Sequence, residues 1–353
     1  MLIIDAHLDL SWNAVGWNRD LTQSVGDIRA AETQIAGKGR GCGTVSFPEM
    51  RKGHIGISLA TVLARCNPNG RSSIDFRTQE IACATAQGQL AYYRLLERRG
   101  YCRMIRSRSA LENSFAEWQT APQDAPFGLI LSMEGADPIL NPEHAADWFE
   151  DGLRVVGLAH YGPSAYAHGT GSAGGVTEGG RQLLRVMEQL GIILDLTHLA
   201  DESFWEAAEL FGGAILASHN NCRSLAPDER QFSDEQIRLV IQRDGVIGTA
   251  FDAWMLVPGW SKGEPRNPAV TLEDAVRHMD HICQIAGNTR HVAIGSDLDG
   301  GFGSEQCPED LDTIADLQNL APLLLSRGYS GDDLRAIFHG NWMRLFTKAW
   351  KCL

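Results

Sequence analysis

No stretch of this 353-residue chain approaches the ~18 consecutive apolar residues of a membrane span, which argues against a helical membrane protein or a membrane partner. Basic residues are scarce: 31 Lys and Arg face 44 Asp and Glu, for a net charge of −13. Nucleic-acid affinity comes from clustered Lys and Arg, and the nearest approach, RMIRSR from Arg103, is too short, so nucleic acid is excluded as a partner. The eight cysteines (Cys42, Cys66, Cys83, Cys102, Cys222, Cys283, Cys307 and Cys352) form no C-x-x-C pair and no zinc-finger spacing. They read as reduced and structural, Cys222 standing apart only by its nearness to His219. Repeats of solenoid period and low-complexity tails are also missing. The first apparent strand opens at Leu2, leaving no room for the charged and apolar regions of a signal peptide, so a cytoplasmic location is the expectation.

What is present is a repeated ending. Six short apolar runs stop at a histidine or carboxylate: MLIIDAHLD from Met1, GLILSMEG from Gly128, RVVGLAH from Arg154, GIILDLTH from Gly191, GAILASHN from Gly213 and HVAIGSDLDG from His291. ISLATVLA from Ile57 and GVIGTAF from Gly245 bring the strand-like segments to eight. Helical patterns fall at Thr78 to Arg98, Glu178 to Gln189, Asp201 to Leu210, Ser233 to Arg243, Leu272 to Ile285 and Glu309 to Leu325, with Ser233 and Gln236 spaced as a capping box. Strands alternating with helices predict a parallel α/β sheet, and eight of them predict one (β/α)8 TIM-type barrel over residues 1–353. The long segments Tyr161 to Val176 and Leu256 to Val270 are then loops covering the mouth.

In such a barrel the strand C-termini converge on one mouth, so ionisable strand ends point to chemistry there. His7 and Asp9, two apart on a strand, face the same side and suit one cation. Glu134 adds a carboxylate able to bridge two cations, and His198 and His219 end successive strands as neutral imidazole ligands for a second. Asp297 faces the same mouth as a proton carrier; Asp299, its rival, reads better as a turn residue before Gly300 and Gly301. His160 is not needed as a ligand and reads as a donor to the carbonyl or developing oxyanion.

These residues carry a resemblance. DAHLDL, SMEG, LGIILDLTHLADESF, LASHNNCRSL, DERQFSDEQI, IGSDLDGGFG and GNWMRLF, in order along nearly the whole chain, resemble the membrane (renal) dipeptidase family within the amidohydrolase superfamily. The resemblance implies a binuclear zinc dipeptidase: His7 and Asp9 on one Zn2+, His198 and His219 on the other, Glu134 bridging. It further implies that His160 contacts the peptide carbonyl, Arg230 grips the C-terminal carboxylate, and Asp297 is the acid or base. Leu8 stands where the family usually has Asn, and YGPSAYAHG after His160, Gln231 and FDAWMLVPGW from Phe251 also depart from the pattern. The substrate is therefore open among an unusual dipeptide, an N-acyl amino acid and another small amide. A lactone, ester or phosphoester hydrolase and a non-catalytic metal-binding barrel are the alternatives, and a homodimer is among the open assembly states. Trp254 and Trp260 belong either to a substrate wall or to an oligomer interface.

Overall fold

A computed structural model describes residues 1–263 and 267–350; Cys352 and the middle of the Leu256 to Val270 loop lie outside the described residues. All eight expected strands form: β1 (Ile3–Leu8), β2 (Ile55–Leu63), β3 (Phe127–Glu134), β4 (Leu153–Gly157), β5 (Ile193–Asp195), β6 (Ile215–Leu216), β7 (Ile247–Thr249) and β8 (Val292–Ile294). Strands β1 to β6 run parallel and in chain order through one curled sheet, and β7 and β8 form a parallel pair. That pair joins β6 through the backbone, Ala217 N–H donating to Val246 O at 3.0 Å and Gly248 N–H to Ala217 O at 2.8 Å. The seam between β8 and β1 is bridged by a side chain instead: the Ser296 amide donates to Asp5 Oδ1 at 2.8 Å.

Ile4 and Ala6 of β1, Ile57 and Leu59 of β2, and single residues of later strands such as Ile130, Val155, Ile193 and Leu216 form one interior cluster with Trp342, Phe346 and Trp350. Those three rings stack with centroids 5.8 and 5.2 Å apart along the helix Asn341–Ala349 and the residue after it. Trp342 Nε1 donates to Ile294 O at 2.9 Å, which satisfies the one polar atom of that indole as its ring is buried. An apolar interior of this kind leaves the strand C-termini as the place for polar chemistry. Gly295 lets the chain just past β8 lie close to the chain just past β6, because a Cβ there would collide with Ser218 O.

The helices Gln79–Arg98, Glu178–Leu190, Asp201–Leu210, Asp234–Gln242 and Leu272–Ala286 match expectation closely, and Ser233 and Gln236 make the capping box. The stretch expected as one helix over Glu309 to Leu325 is divided into a 3-10 segment, Ile314–Asn319, and a helix, Leu320–Ser326. Asp316 explains the late start: its Oδ2 accepts the amides of Asp312 and Thr313, both at 2.9 Å, so the helical run is capped at Thr313 and residues 309–312 stay outside it. Among the described residues no helix is long and apolar enough to cross a membrane.

Asp299 does sit in a turn, with φ of 62° and its carbonyl accepting the Gly301 amide at 2.9 Å. Its carboxylate does more than the turn reading anticipates. Oδ1 takes the Thr44 amide and hydroxyl, both at 2.8 Å, and Oδ2 takes the Val45 amide at 3.0 Å and Arg19 Nη1 at 3.1 Å. Arg19 also forks onto Glu32 at 2.9 and 3.0 Å. Removing one partner of such a buried pair leaves the other uncompensated, so Asp299→Ala should lower the unfolding free energy by about 3–5 kcal/mol, read from the midpoint of urea denaturation.

Candidate metal centre and binding cavity

Five strands end three residues short of an ionisable group: His160 after Gly157, His198 after Asp195, His219 after Leu216, Asp252 after Thr249 and Asp297 after Ile294. Glu134 is itself the last residue of β3. His198 and Asp297 adopt φ of 67° and 59°, a conformation that costs non-glycine residues energy and that concentrates at functional sites. His7 arrives by another route. Ile4 and Ala6 face the barrel interior, so simple alternation would turn His7 away, but the register between Asp5 and Leu8 contains a bulge against β2. The bulge re-aims His7 into the mouth. Asp9 lies just past the strand and precedes the helix Leu10–Trp17, so the strand-face expectation yields the right neighbours through a different geometry.

The expected ligands converge. His7 Nε2 stands 3.7 Å from Asp9 Oδ2, 3.7 Å from Asp297 Oδ1 and 3.8 Å from Glu134 Oε2. The other oxygen of Glu134, Oε1, stands 3.1 Å from His198 Nε2, 3.4 Å from His219 Nε2 and 3.7 Å from His160 Nε2. Three sets of donor atoms lie mutually within 4.8 Å: His7, Glu134 and His219; Glu134, His160 and His198; and His7, Asp9 and Asp297. Asp297 and His160 are thus as close to the centre as the expected ligands. The second nitrogens of two histidines are oriented by hydroxyls, His219 Nδ1 by Ser218 Oγ at 2.9 Å and His198 Nδ1 by Thr170 Oγ1 at 3.3 Å.

Two buried carboxylates that sequence reading passed over hold this frame. Asp5 Oδ1 accepts the amide of His7 at 3.1 Å and that of Ser296, the residue before Asp297, at 2.8 Å. Asp195 Oδ1 accepts the amide of Thr197, the residue before His198, and that of Ser218, the residue before His219, both at 3.0 Å. Each carboxylate therefore ties together two strand ends that present site residues. Their signal was an aspartate embedded in an apolar run, in LIIDAH and IILDLTH, which is costly unless hydrogen-bonded.

Electrostatics agrees with a cation site. Burial drives the imidazoles of His160, His198 and His219 well below their ordinary range, with Arg230 adding to it, which keeps them neutral as ligands must be. Burial also disfavours a charged His7, yet Glu134, Asp9 and Asp297 overcome it and raise that group to about 10. Glu134 is pushed up to about 7 and Asp297 well above the carboxylate range, burial being the main cause in both. His7 Nε2 and Asp9 Oδ1 are buried without a hydrogen-bond partner. One divalent cation would satisfy both, so the residues present fit a metal centre.

The centre opens into a cavity of about 650 Å³ whose walls include Arg230, Tyr161, Trp12, Trp17, Trp254 and Trp260. Trp254 and Trp260 therefore face the cavity. Arg230, 3% exposed, spends Nη2 on His219 O at 2.9 Å and leaves Nη1 buried and unpartnered. Cys222 is buried, its thiol directed at His278 O at 3.6 Å and pushed up by burial, which makes it structural.

A model of the membrane dipeptidase family (Peptidase family M19) matches residues 1–352. Dipeptidase aclJ of Aspergillus oryzae is 24% identical over 310 residues, covering 86% of this chain and 69% of that protein. An uncharacterized protein in the pqqA 5' region of Klebsiella pneumoniae is 30% identical over 178 residues, covering 50% of this chain and 62% of that protein. The chain spans about half to two thirds of the length of the curated relatives it matches. Among solved structures, dipeptidase AC, a metallopeptidase of family M19, superposes with a TM-score of 0.80 at 25% identity, covering 99% of each chain. A metallopeptidase from Rhodobacter sphaeroides, liganded with a phosphinate mimic of the dipeptide L-Ala-D-Ala, gives 0.79 at 25% identity with the same coverage.

The two braces make a selective prediction. Asp5→Ala should weaken metal binding at the His7 side and Asp195→Ala at the His198 and His219 side, each by about 10–100-fold. Asp5→Asn and Asp195→Asn, which keep an acceptor at Oδ1, should retain most of it; calorimetric titration with zinc of the chelator-treated proteins distinguishes the four.

Proposed function

The chain belongs to the membrane dipeptidase family, Peptidase family M19, and on that footing we propose that it is a binuclear zinc dipeptidase hydrolysing the one amide bond of a free dipeptide. The observation that carries this reading is Glu134, whose two oxygens face two different groups of donors, Oε2 toward His7 and Oε1 toward His198 and His219. His7 and Asp9 would hold one ion, His198 and His219 the other, with Glu134 shared. Mixed imidazole and carboxylate donors make zinc the default. When bound, the ions supply a bridging water of lowered pKa and Lewis-acid polarisation of the carbonyl.

The remaining chemistry falls to side chains. Arg230 offers its unpartnered Nη1 to the substrate's terminal carboxylate. A guanidinium there fixes the reach of a two-residue substrate so that its only amide lies over the centre. His160, kept neutral by burial, donates a hydrogen bond from Nε2 to the carbonyl oxygen as charge develops on it. Asp297 starts as the carboxylate, its proton affinity raised by burial; it takes the proton shed by the attacking water and returns it to the departing nitrogen as the C–N bond breaks.

Free dipeptides should be cleaved with release of both amino acids, blocked dipeptides should not, and chelation should abolish the reaction; a preparation that carries two zinc ions and cleaves no dipeptide would overturn the reading. Arg230→Met should raise KM by about 10–100-fold, the loss of a charge-assisted hydrogen bond in a buried setting. Asp297→Asn should lower kcat by about 10²–10⁴-fold while elemental analysis still finds the metal.

A further inference from the structure

Asp252 occupies on β7 the place that His160, His198, His219 and Asp297 occupy on their strands, three residues past the last strand position. It belongs to none of the three donor sets. It stands at the N-cap of the short helix Ala253–Leu256 yet makes no capping hydrogen bond. Its carboxylate is held facing elsewhere: Gln306 Nε2 donates to Oδ1 and Oδ2, both at 2.7 Å, and Trp254 Nε1 donates to Oδ2 at 2.8 Å. Asp252 is 6% exposed and Gln306 2%, both line the cavity, and Gln306 Oε1 is buried without any partner.

This wall thus offers a carboxylate with spare acceptor capacity, an unused amide oxygen, and the rings of Trp254 and Trp260. Acceptors combined with aromatic faces recognise cations. Among the described residues Asp252 forms no ion pair within 4.0 Å, and burial pushes its carboxyl up to about 6, a cost that a cation would relieve. Lys38 and Lys262 line the same cavity from exposed positions at its rim. The Lys38 ammonium lies 5.7 Å over the Phe302 ring instead of on Asp252. Lys38 acts on Asp252 only from a distance, and burial together with the neighbouring Lys262 pushes its ammonium down to about 8, so it is a weakened counter-charge for that carboxylate.

We infer that Asp252 and Gln306 form a cation-recognising subsite that selects dipeptides carrying an ammonium or guanidinium side chain. The inference rests on the dipeptidase reading and narrows it to a substrate class. The cavity's 650 Å³ lies within the usual ~300–1,000 Å³ of small-molecule sites and leaves room for a long basic side chain.

The test uses the zinc-loaded protein and matched dipeptides: arginine against citrulline and lysine against norleucine, at either position, with alanine as the other residue. The expected result is a kcat/KM about tenfold or more in favour of the basic member. In Asp252→Asn, and less completely in Gln306→Leu, that ratio should fall toward one, with zinc content and melting temperature measured alongside. Equal rates for both members in the native protein, or a ratio that survives Asp252→Asn, overturn the inference. A preference that emerges only in Lys38→Met also overturns it, because Lys38 would then be the native occupant. If no dipeptide is cleaved, the dipeptidase reading has failed separately, and the subsite is judged by tryptophan fluorescence. Butylguanidinium should then bind in preference to butylurea in the native protein and lose that preference in Asp252→Asn; equal binding overturns the subsite as well.

Discussion

A carboxylate taken out of water loses several kcal/mol of solvation, and the Glu134 carboxylate is buried at the mouth of a barrel. The rest of the mouth meets that cost. Three neutral imidazoles stand around Oε1 and a fourth, drawn toward its charged form by three carboxylates, faces Oε2. Below them the interior is apolar up to the stacked rings of Trp342, Phe346 and Trp350, so little solvent screening reaches the centre from that side. Each side chain must then be fixed to a fraction of an ångström, because charges in a poorly screened setting gain or lose energy steeply with position.

Positional control comes from the backbone. A β-ladder aligns strands but says little about the residues after they end, and here the chemistry sits there. The Asp5 and Asp195 carboxylates extend alignment beyond the ladder by gripping amides next to His7, His198, His219 and Asp297. Asn13 repeats the device, its Nδ2 donating at 3.0 Å to the carbonyls of both Asp9 and Asp299. Through Asp299 the tie continues to Arg19 and the loop at Thr44 and Val45, so the cavity lip and the ends of β1 and β8 belong to one polar network.

The strands were legible because buried parallel strands are short β-branched runs with abrupt ends, and the ionisable residues terminating six of them were legible for the same reason. All eight site residues named from the sequence lie at the mouth. What was not legible depended on contacts between distant segments. The bulge that turns His7 inward is a property of pairing with β2. The roles of Asp5 and Asp195 depend on strands that approach only in the fold. The late start of the 309–325 stretch followed from one capping aspartate that helical periodicity does not register. Asp252 was within reach, since it directly follows GVIGTAF, but its significance required Gln306, more than fifty residues later.

The clasp between Asp5 and Ser296 joins residues 291 positions apart. A ribosome adding about 5–20 residues per second presents the first strand long before its closing partner exists. During that interval His7 and Asp9 have no Asp297 beside them, and Asp5 has no Ser296 amide to accept. A cation site that draws on both His7 and Asp297 would therefore be completed only after the segment carrying Asp297 had been made.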